Sequence, residues 1–124
     1  MIAADSSTVI AFFCGEDGHD VELLDRALES AELVLPPVVL TEVLSDPGLS
    51  PDFTDLVRLI PMLEIRFGFW ERAAATRARI LSMRLRARLA DSLITQSCLD
   101  HETPLITRDR DIRHFADLAG LQLA

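Results

Sequence analysis

Lysine is absent from this sequence, and all twelve of its basic residues are arginine. Acidic residues outnumber them, and the formal net charge of −8 argues against a general polyanion-binding domain. Most of the arginines nevertheless lie in the segment 66–88, which contains a single acid, Glu71. Arginine favours planar, bidentate contact with phosphate or carboxylate, so this segment is a candidate surface for nucleic acid or an acidic peptide; a solvated helix face is the alternative.

Long apolar runs are also missing. The longest, such as residues 9–14, fall far short of a bilayer span, and the N-terminus lacks a basic region followed by an apolar one. We therefore expect a cytoplasmic protein with no membrane segment and no secretion signal. The two cysteines, Cys14 and Cys98, lie in apolar patterns without zinc-site spacing, and we expect both to be reduced core residues.

Short apolar runs alternate with segments of helical periodicity along the chain. Five runs predict strands, the last of them at a sheet edge: residues 1–4, 33–35, 62–65, 104–107 and 121–123. Helices are predicted between them, at about residues 8–13, 21–30, 38–44, 51–60, 70–85, 89–101 and 112–118. Pro37 suits the first position of the third helix, and Ser50-Pro51-Asp52 can start the fourth. Such apolar strands indicate an α/β fold with a parallel sheet covered on both sides, and the length and 49% hydrophobic content predict one domain, 1–124.

Carboxylates follow two of the predicted strands. Asp5 comes directly after the first strand, and Asp109 follows the fourth, where the carboxyl ends of parallel strands meet and ligands bind. Asp is also a routine helix cap and turn residue, which is the ordinary alternative for both. Two more acids, Glu42 and Asp91, lie in apolar helices, and such acids are usually paired with a base or bound to a metal.

Four converging carboxylates would repel one another. At about 5 Å and an effective dielectric constant of about 20, each pair costs about 3 kcal/mol, which a divalent cation offsets. All-oxygen ligation suits Mg²⁺ or Mn²⁺ and is common in metal-assisted phosphodiester hydrolysis. Zinc is disfavoured because the three histidines, which we expect at the surface or in loops, show no ligand spacing: His19, His101 and His114.

The order and context of these acids resemble the PIN-domain ribonucleases, and in particular the VapC-like toxins of bacterial toxin–antitoxin pairs. The matching segments are Ile2-Ala3-Ala4-Asp5-Ser6-Ser7, Leu40-Thr41-Glu42-Val43-Leu44, Leu89-Ala90-Asp91-Ser92-Leu93-Ile94 and Leu105-Ile106-Thr107-Arg108-Asp109-Arg110-Asp111. The resemblance covers essentially the whole chain in length and element order. It implies a three-layer α/β/α PIN-like fold with a central parallel sheet of four to five strands.

The resemblance also implies a Mg²⁺- or Mn²⁺-dependent endoribonuclease that is a homodimer held inactive by a cognate antitoxin protein. Its catalytic acids would be Asp5, Glu42, Asp91 and Asp109. We hypothesise that Asp5, Asp91 and Asp109 hold the metal, which would lower the pKa of an attacking water that Glu42 orients. Three residues are expected to support the site: Ser7, Thr107 and Asp111. For Asp111, a share in binding a second metal ion is the alternative.

Three arginines are candidates for holding the RNA phosphates that flank the scissile bond: Arg86, Arg88 and Arg108. The sequence also departs from the family pattern. Ile112 stands where many relatives carry Phe, and residues 85–88 lack a Gly-Arg element that is common there. These departures leave the RNA target and the cleavage sequence open.

Two other functions remain open on the sequence alone. The first is a catalytically silent binding module whose acidic pocket receives an arginine from a partner chain. The second is a Mg²⁺-dependent phosphatase, but the Asp-x-Asp pair expected after the first strand is missing, because the chain reads Asp5-Ser6-Ser7 there.

Overall fold

A parallel three-stranded sheet lies at the centre of the computed structural model, which describes residues 1–124. Its strands are β1 (Ile2–Ala4), β2 (Leu33–Val34) and β3 (Leu105–Ile106), in the order β2-β1-β3. In the parallel registers, Ile2 lies opposite Leu33, and Ala3 lies opposite Leu105. The first strand of the chain is therefore the central one, and its carboxyl end is flanked by those of both neighbours.

Seven α-helices surround the sheet: α1 (Ser6–Phe13), α2 (His19–Glu29), α3 (Pro37–Leu44), α4 (Pro51–Leu59), α5 (Phe69–Ser82), α6 (Leu89–Asp100) and α7 (Arg113–Ala119). Every predicted helix is present, with ends that shift by a few residues, and a 3₁₀ turn (Arg110–Ile112) precedes α7. Proline starts α3 and α4, because the first position of a helix needs no N–H donor. None of the helices has the length and apolar content that a bilayer crossing requires.

The sheet has three strands where the sequence predicts four to five. The predicted strand 62–65 contributes a single bridge, to Leu35, and the predicted edge strand 121–123 is likewise reduced to one bridge. Beyond its bridge, the first of these segments turns toward α6, where His101 Nε2 lies 2.8 Å from the Glu64 carbonyl oxygen. The His101 side chain thus contacts the Glu64 carbonyl oxygen, which in a longer strand would be hydrogen-bonded to a neighbouring strand.

Helices cover both faces of the sheet. Each strand has two successive buried residues: Ala3 and Ala4 in β1, Leu33 and Val34 in β2, and Leu105 and Ile106 in β3. Successive strand residues point to opposite faces, so burial of both members requires packing on each side. These strands belong to a core of 22 buried residues, which gives the predicted three-layer α/β/α arrangement.

The two cysteines differ in their surroundings. Cys98 is buried in the core as predicted, but the prediction for Cys14 is wrong, because that residue is exposed. Cys14 caps the C-terminus of α1, and Gly15 follows it at a φ of 73°. This left-handed residue turns the chain away from the helix, so the apolar pattern of α1 does not carry Cys14 into the core.

Candidate active site

Asp5 is buried at the end of the central strand β1, where it also begins α1. Its Oδ1 accepts hydrogen bonds from the Thr8 N–H at 3.1 Å, a helix-capping contact, and from Ser7 Oγ at 2.7 Å. Its Oδ2 accepts a hydrogen bond from Thr107 Oγ1. Burial raises the pKa of Asp5 above its ordinary value against the lowering effect of these hydrogen bonds, and the charge of Asp109 adds to the rise.

Thr107 joins the carboxyl ends of β1 and β3. Its hydroxyl donates to Asp5 and accepts a hydrogen bond from the Asp109 N–H at 3.0 Å. Asp109 in turn caps the 3₁₀ turn, because its Oδ1 accepts from the Asp111 N–H at 2.9 Å. One hydroxyl therefore fixes the loop that carries Asp109 against the side chain of Asp5.

Glu42 lies half-buried in α3 and is hydrogen-bonded to α1. Ser6 Oγ donates to Glu42 Oε1 at 3.0 Å. Because Ser6 directly follows Asp5, the first turn of α1 contacts two of the predicted acids. Ser6 is not among the predicted site residues, and the only signal for it in the sequence is a second hydroxyl beside Ser7.

Asp91 lies half-buried in the first turn of α6, and its carboxyl group is strongly perturbed. Burial is the main cause that raises the pKa of Asp91 to about 6, and the charge of Asp109 is the next. Arg88 opposes the rise, while the charges of Asp5 and Glu42 add to it. The charges of all three other predicted acids thus raise the pKa of Asp91, so each of them lies near enough to repel its carboxylate. Its Oδ2 is buried and has no hydrogen-bond partner.

The carboxylates supply a donor set that fits a hard divalent cation. No three acidic, histidine or cysteine side chains lie close enough together to ligate one ion directly. Mg²⁺ ordinarily keeps several waters and takes one or two carboxylates directly, so a complete cage of side chains is not required. The unpartnered Asp91 Oδ2 would gain most from a cation, because a buried carboxylate oxygen without a partner is costly.

Asp111 pairs with two exposed arginines beside the acids. Its Oδ2 lies 3.6 Å from Arg86 Nη1 and 3.7 Å from Arg88 Nη2, and both distances exceed that of a hydrogen bond. Arg88 also lowers the pKa of Asp91, so its charge lies near the acid cluster. Two of the predicted phosphate contacts therefore lie beside the site, with Asp111 as their partner.

Arg108, the third predicted phosphate contact, is engaged within the protein. Its Nε and Nη2 donate to the two carboxylate oxygens of Asp20 at 2.8 and 3.1 Å, and its Nη1 lies 3.4 Å from Glu16 Oε2. Nη2 also donates to the Asp17 carbonyl oxygen. Asp20, which the sequence did not single out, is further held by the buried Thr8 hydroxyl at 3.0 Å. Arg108 thus ties the loop after β3 to the turn before α2, and its guanidinium is not free for a phosphate.

Comparison with known proteins places the chain in a family. The family model of the PIN domain matches residues 2–118, and no curated protein matches the sequence. The match begins in β1 and ends in α7, so it contains the complete sheet and all four acids. PIN domains are generally metal-dependent nucleases, and the oxygen-rich site at the carboxyl end of the sheet agrees with that chemistry. The chain belongs to the PIN-domain family.

Proposed function

We propose that this protein is a Mg²⁺- or Mn²⁺-dependent endoribonuclease and the toxin of a VapC-like toxin–antitoxin pair. The observation that carries the proposal is the raised pKa and the unpartnered oxygen of Asp91, in a chain that belongs to the PIN-domain family. Its pKa is raised to about 6, partly by three other carboxylates, and one of its oxygens is buried without a partner. Perturbed carboxyl groups of this kind cluster at functional sites, and here the missing partner is a positive charge.

Each acid has a proposed role in hydrolysis. Asp5, Asp91 and Asp109 hold the ion together with water, and Glu42 orients the attacking water. When bound, such an ion polarises the scissile phosphate and makes water a better nucleophile. Ser7 and Thr107 position the Asp5 carboxylate by the hydrogen bonds they donate to its two oxygens.

Arg86 and Arg88 are the proposed contacts to phosphates that flank the scissile bond. Both are exposed, and their long ion pairs with Asp111 contribute little to stability. A phosphate offers several strong acceptors to a guanidinium, so RNA can replace Asp111 as their partner. Arg108 is left out of this proposal, because Asp20 holds its guanidinium.

The proposed assembly is a homodimer of single PIN domains, 1–124, in the cytoplasm, inhibited by a cognate antitoxin protein. The likeness of the acidic segments to VapC-like toxins supports a partner chain. So does an apolar groove of about 410 Å³ between α5 and α6, whose lining includes the exposed side chains of Trp70, Leu81 and Leu89. Analytical ultracentrifugation tests the dimer, and a monomer at micromolar concentration would contradict it.

RNA cleavage by the purified protein tests the proposed activity. We expect cleavage with Mn²⁺ or Mg²⁺ and none with EDTA. Asp5→Asn removes an anionic group at nearly constant size, and we expect a rate loss of at least about a hundredfold, equivalent to about 3 kcal/mol of transition-state stabilisation. Asp52→Asn makes the same change on the exposed surface of α4 and should leave the rate unchanged. Full activity of a folded Asp5→Asn variant would exclude the proposed site.

A catalytically silent binding module is the second candidate function. It is favoured by the absence of any three acidic, histidine or cysteine side chains within direct ligating distance of one ion. In this alternative the acidic pocket receives an arginine from a partner chain, which neutralises the same carboxylates. RNA that stays intact at every Mn²⁺ concentration, together with binding of an arginine-containing peptide that Asp91→Asn abolishes, would favour the module over the enzyme.

A further inference from the structure

Thr95 is fully buried in α6, and its hydroxyl has no hydrogen-bond partner. A buried hydroxyl without a partner destabilises a folded protein, whereas valine would fill nearly the same volume without that cost. A threonine within a helix commonly bonds the backbone carbonyl four residues earlier, and Thr95 does not do so. Its hydroxyl therefore makes no visible contribution to the stability of the fold.

Thr95 Oγ1 and Asp91 Oδ2 are the two buried side-chain oxygens in the protein that lack a partner. The two residues are four apart on α6, so they lie one turn apart on the same face of the helix. Cys98 continues this face, and the charge of Asp5 acts on both Asp91 and Cys98. The face is thus directed toward the carboxyl end of β1, and both unpartnered oxygens belong to the surroundings of the acid cluster.

We propose that Thr95 is a positioning residue for Asp91: in the metal-bound protein its hydroxyl donates to Asp91 Oδ2 and so fixes the oxygen that Asp91 presents to the divalent ion. The inference rests on the proposed function, because it requires the metal site. Hydrogen bonds from such supporting groups orient ligating carboxylates, and their loss typically lowers metal affinity 10- to 100-fold. The structure shows both oxygens without a partner, so this hydrogen bond belongs to the metal-bound protein, where it would satisfy both of them.

Calorimetric titration of Mn²⁺ into metal-free protein tests the role of Thr95. Thr95→Val keeps the shape of the side chain and removes the hydroxyl. We expect its metal-free melting temperature to equal or exceed that of the wild type, because no hydrogen bond is lost, and its Kd for Mn²⁺ to be about tenfold weaker. Thr95→Ser restores a hydroxyl and should return the Kd to within about threefold of the wild-type value.

Thr103→Val is the matched control, because it makes the same chemical change at another buried threonine. The Thr103 hydroxyl donates to the His101 carbonyl oxygen at 3.0 Å. Thr103 precedes β3, so it lies at the amino end of the strands, whereas the acids lie at the carboxyl end. This variant should melt at a lower temperature and bind Mn²⁺ as the wild type does. Wild-type Mn²⁺ affinity in Thr95→Val overturns the inference and leaves the proposed function intact. A wild-type protein that binds neither Mn²⁺ nor Mg²⁺ overturns the proposed function, and the inference with it.

Discussion

Asp5 shows how one carboxylate can serve the fold and the site together. The ordinary interpretation of an aspartate before a helix, that of a cap, is confirmed by the hydrogen bond from the Thr8 N–H to Oδ1. Oδ2 takes no part in capping and is contacted by Thr107, from the other end of the chain. An aspartate at a strand end can therefore cap a helix with one oxygen and contribute to a site with the other. The two interpretations of Asp5 do not exclude each other.

Asp91 makes the stability of the protein depend on pH. Its pKa is about 6 in the folded state, against an ordinary value of 3.8. The folded state therefore binds this proton more tightly than the unfolded state does. It follows that the contribution of Asp91 to the free energy of unfolding is most favourable below the ordinary value, falls as the pH rises to about 6, and is constant above that.

Asp91→Asn should therefore stabilise the metal-free protein at neutral pH. We expect the free energy of unfolding at pH 7 to rise by about 1 to 2 kcal/mol, less than the full shift implies, because Asp91 is half-buried and partly screened by solvent. Urea unfolding measured from pH 4 to pH 8 checks this, and the gain should shrink toward the acidic end. Asp25→Asn makes the same change on the exposed surface of α2 and should leave the free energy of unfolding at pH 7 nearly unchanged. A destabilised Asp91→Asn protein at pH 7 would contradict the assignment.

Divalent metal should offset the cost of the Asp91 charge. An ion that binds only the folded state stabilises it by about 2.7 kcal/mol at a concentration one hundred times its Kd. We expect Mn²⁺ to raise the melting temperature of the wild type, EDTA to reverse the rise, and Asp91→Asn to respond far less. Equal thermal shifts in both proteins would mean that the ion binds elsewhere.

At the scale of helices and loops, arginine side chains hold neighbouring elements together. Five of them donate to backbone carbonyl oxygens elsewhere in the fold: Arg66 to Asp100, Arg72 to Phe67, Arg77 to Ala87, Arg79 to Leu118 and Arg108 to Asp17. A guanidinium has enough donors to bind a carbonyl and a carboxylate together, as Arg72 does with the Phe67 carbonyl oxygen and the Asp100 carboxylate. The arginine-rich segment is therefore mostly a set of ties between elements, which neither a phosphate-binding surface nor a solvated face fully describes.

Arg108→Lys should weaken the tie between the loop after β3 and the turn before α2. Lysine can reach one oxygen of Asp20 but cannot span Asp20, Glu16 and the Asp17 carbonyl together. We expect the free energy of unfolding at pH 7 to fall by about 1 kcal/mol, since the pair is partly exposed. Arg86→Lys is the matched control, because Arg86 makes only a long ion pair, and it should leave stability unchanged.

The effect of Arg108→Lys should also depend on pH. The hydrogen bond from Arg108 lowers the pKa of Asp20 in the folded state, so the pair stabilises the protein above the ordinary aspartate pKa. That stability is lost as the pH falls through the folded value. The difference between wild type and variant in urea unfolding should therefore shrink in acid. A constant difference down to pH 2 would argue against this ion pair.

The helices and the central strands could be predicted because their signals are local. Apolar periodicity and proline at the first helical position are enough for α3 and α4, and short buried runs are enough for β1 to β3. The loss of the outer strands could not be predicted, because it depends on contacts such as that of His101 with the Glu64 carbonyl, 37 residues away. The Arg108–Asp20 pair, 88 residues apart, was missed for the same reason. The roles of the four acids in catalysis stay a prediction.

For the molecule as a whole, the net charge of −8 opposes RNA binding. Binding therefore depends on arginine side chains that are available to contact phosphate. Asp111→Asn removes the partner of Arg86 and Arg88, and we expect RNA to bind about three- to tenfold more tightly at low salt. Fluorescence anisotropy in EDTA measures this without cleavage. Asp117→Asn makes the same change in net charge on the exposed surface of α7. Equal gains in both variants would mean that only total charge matters.

The position of β1 at the centre of the sheet bears on how the protein is made. β1 is translated before β3, yet one of its two edges pairs with β3, and the second oxygen of Asp5 is held by Thr107. Neither contact can form until residues 105–109 have been translated, since pairing distant in sequence is the last to be completed. Under the proposed function, a nascent chain that still lacks residues 105–109 would therefore have an incomplete active site, and cleavage would begin only after this segment has folded against β1.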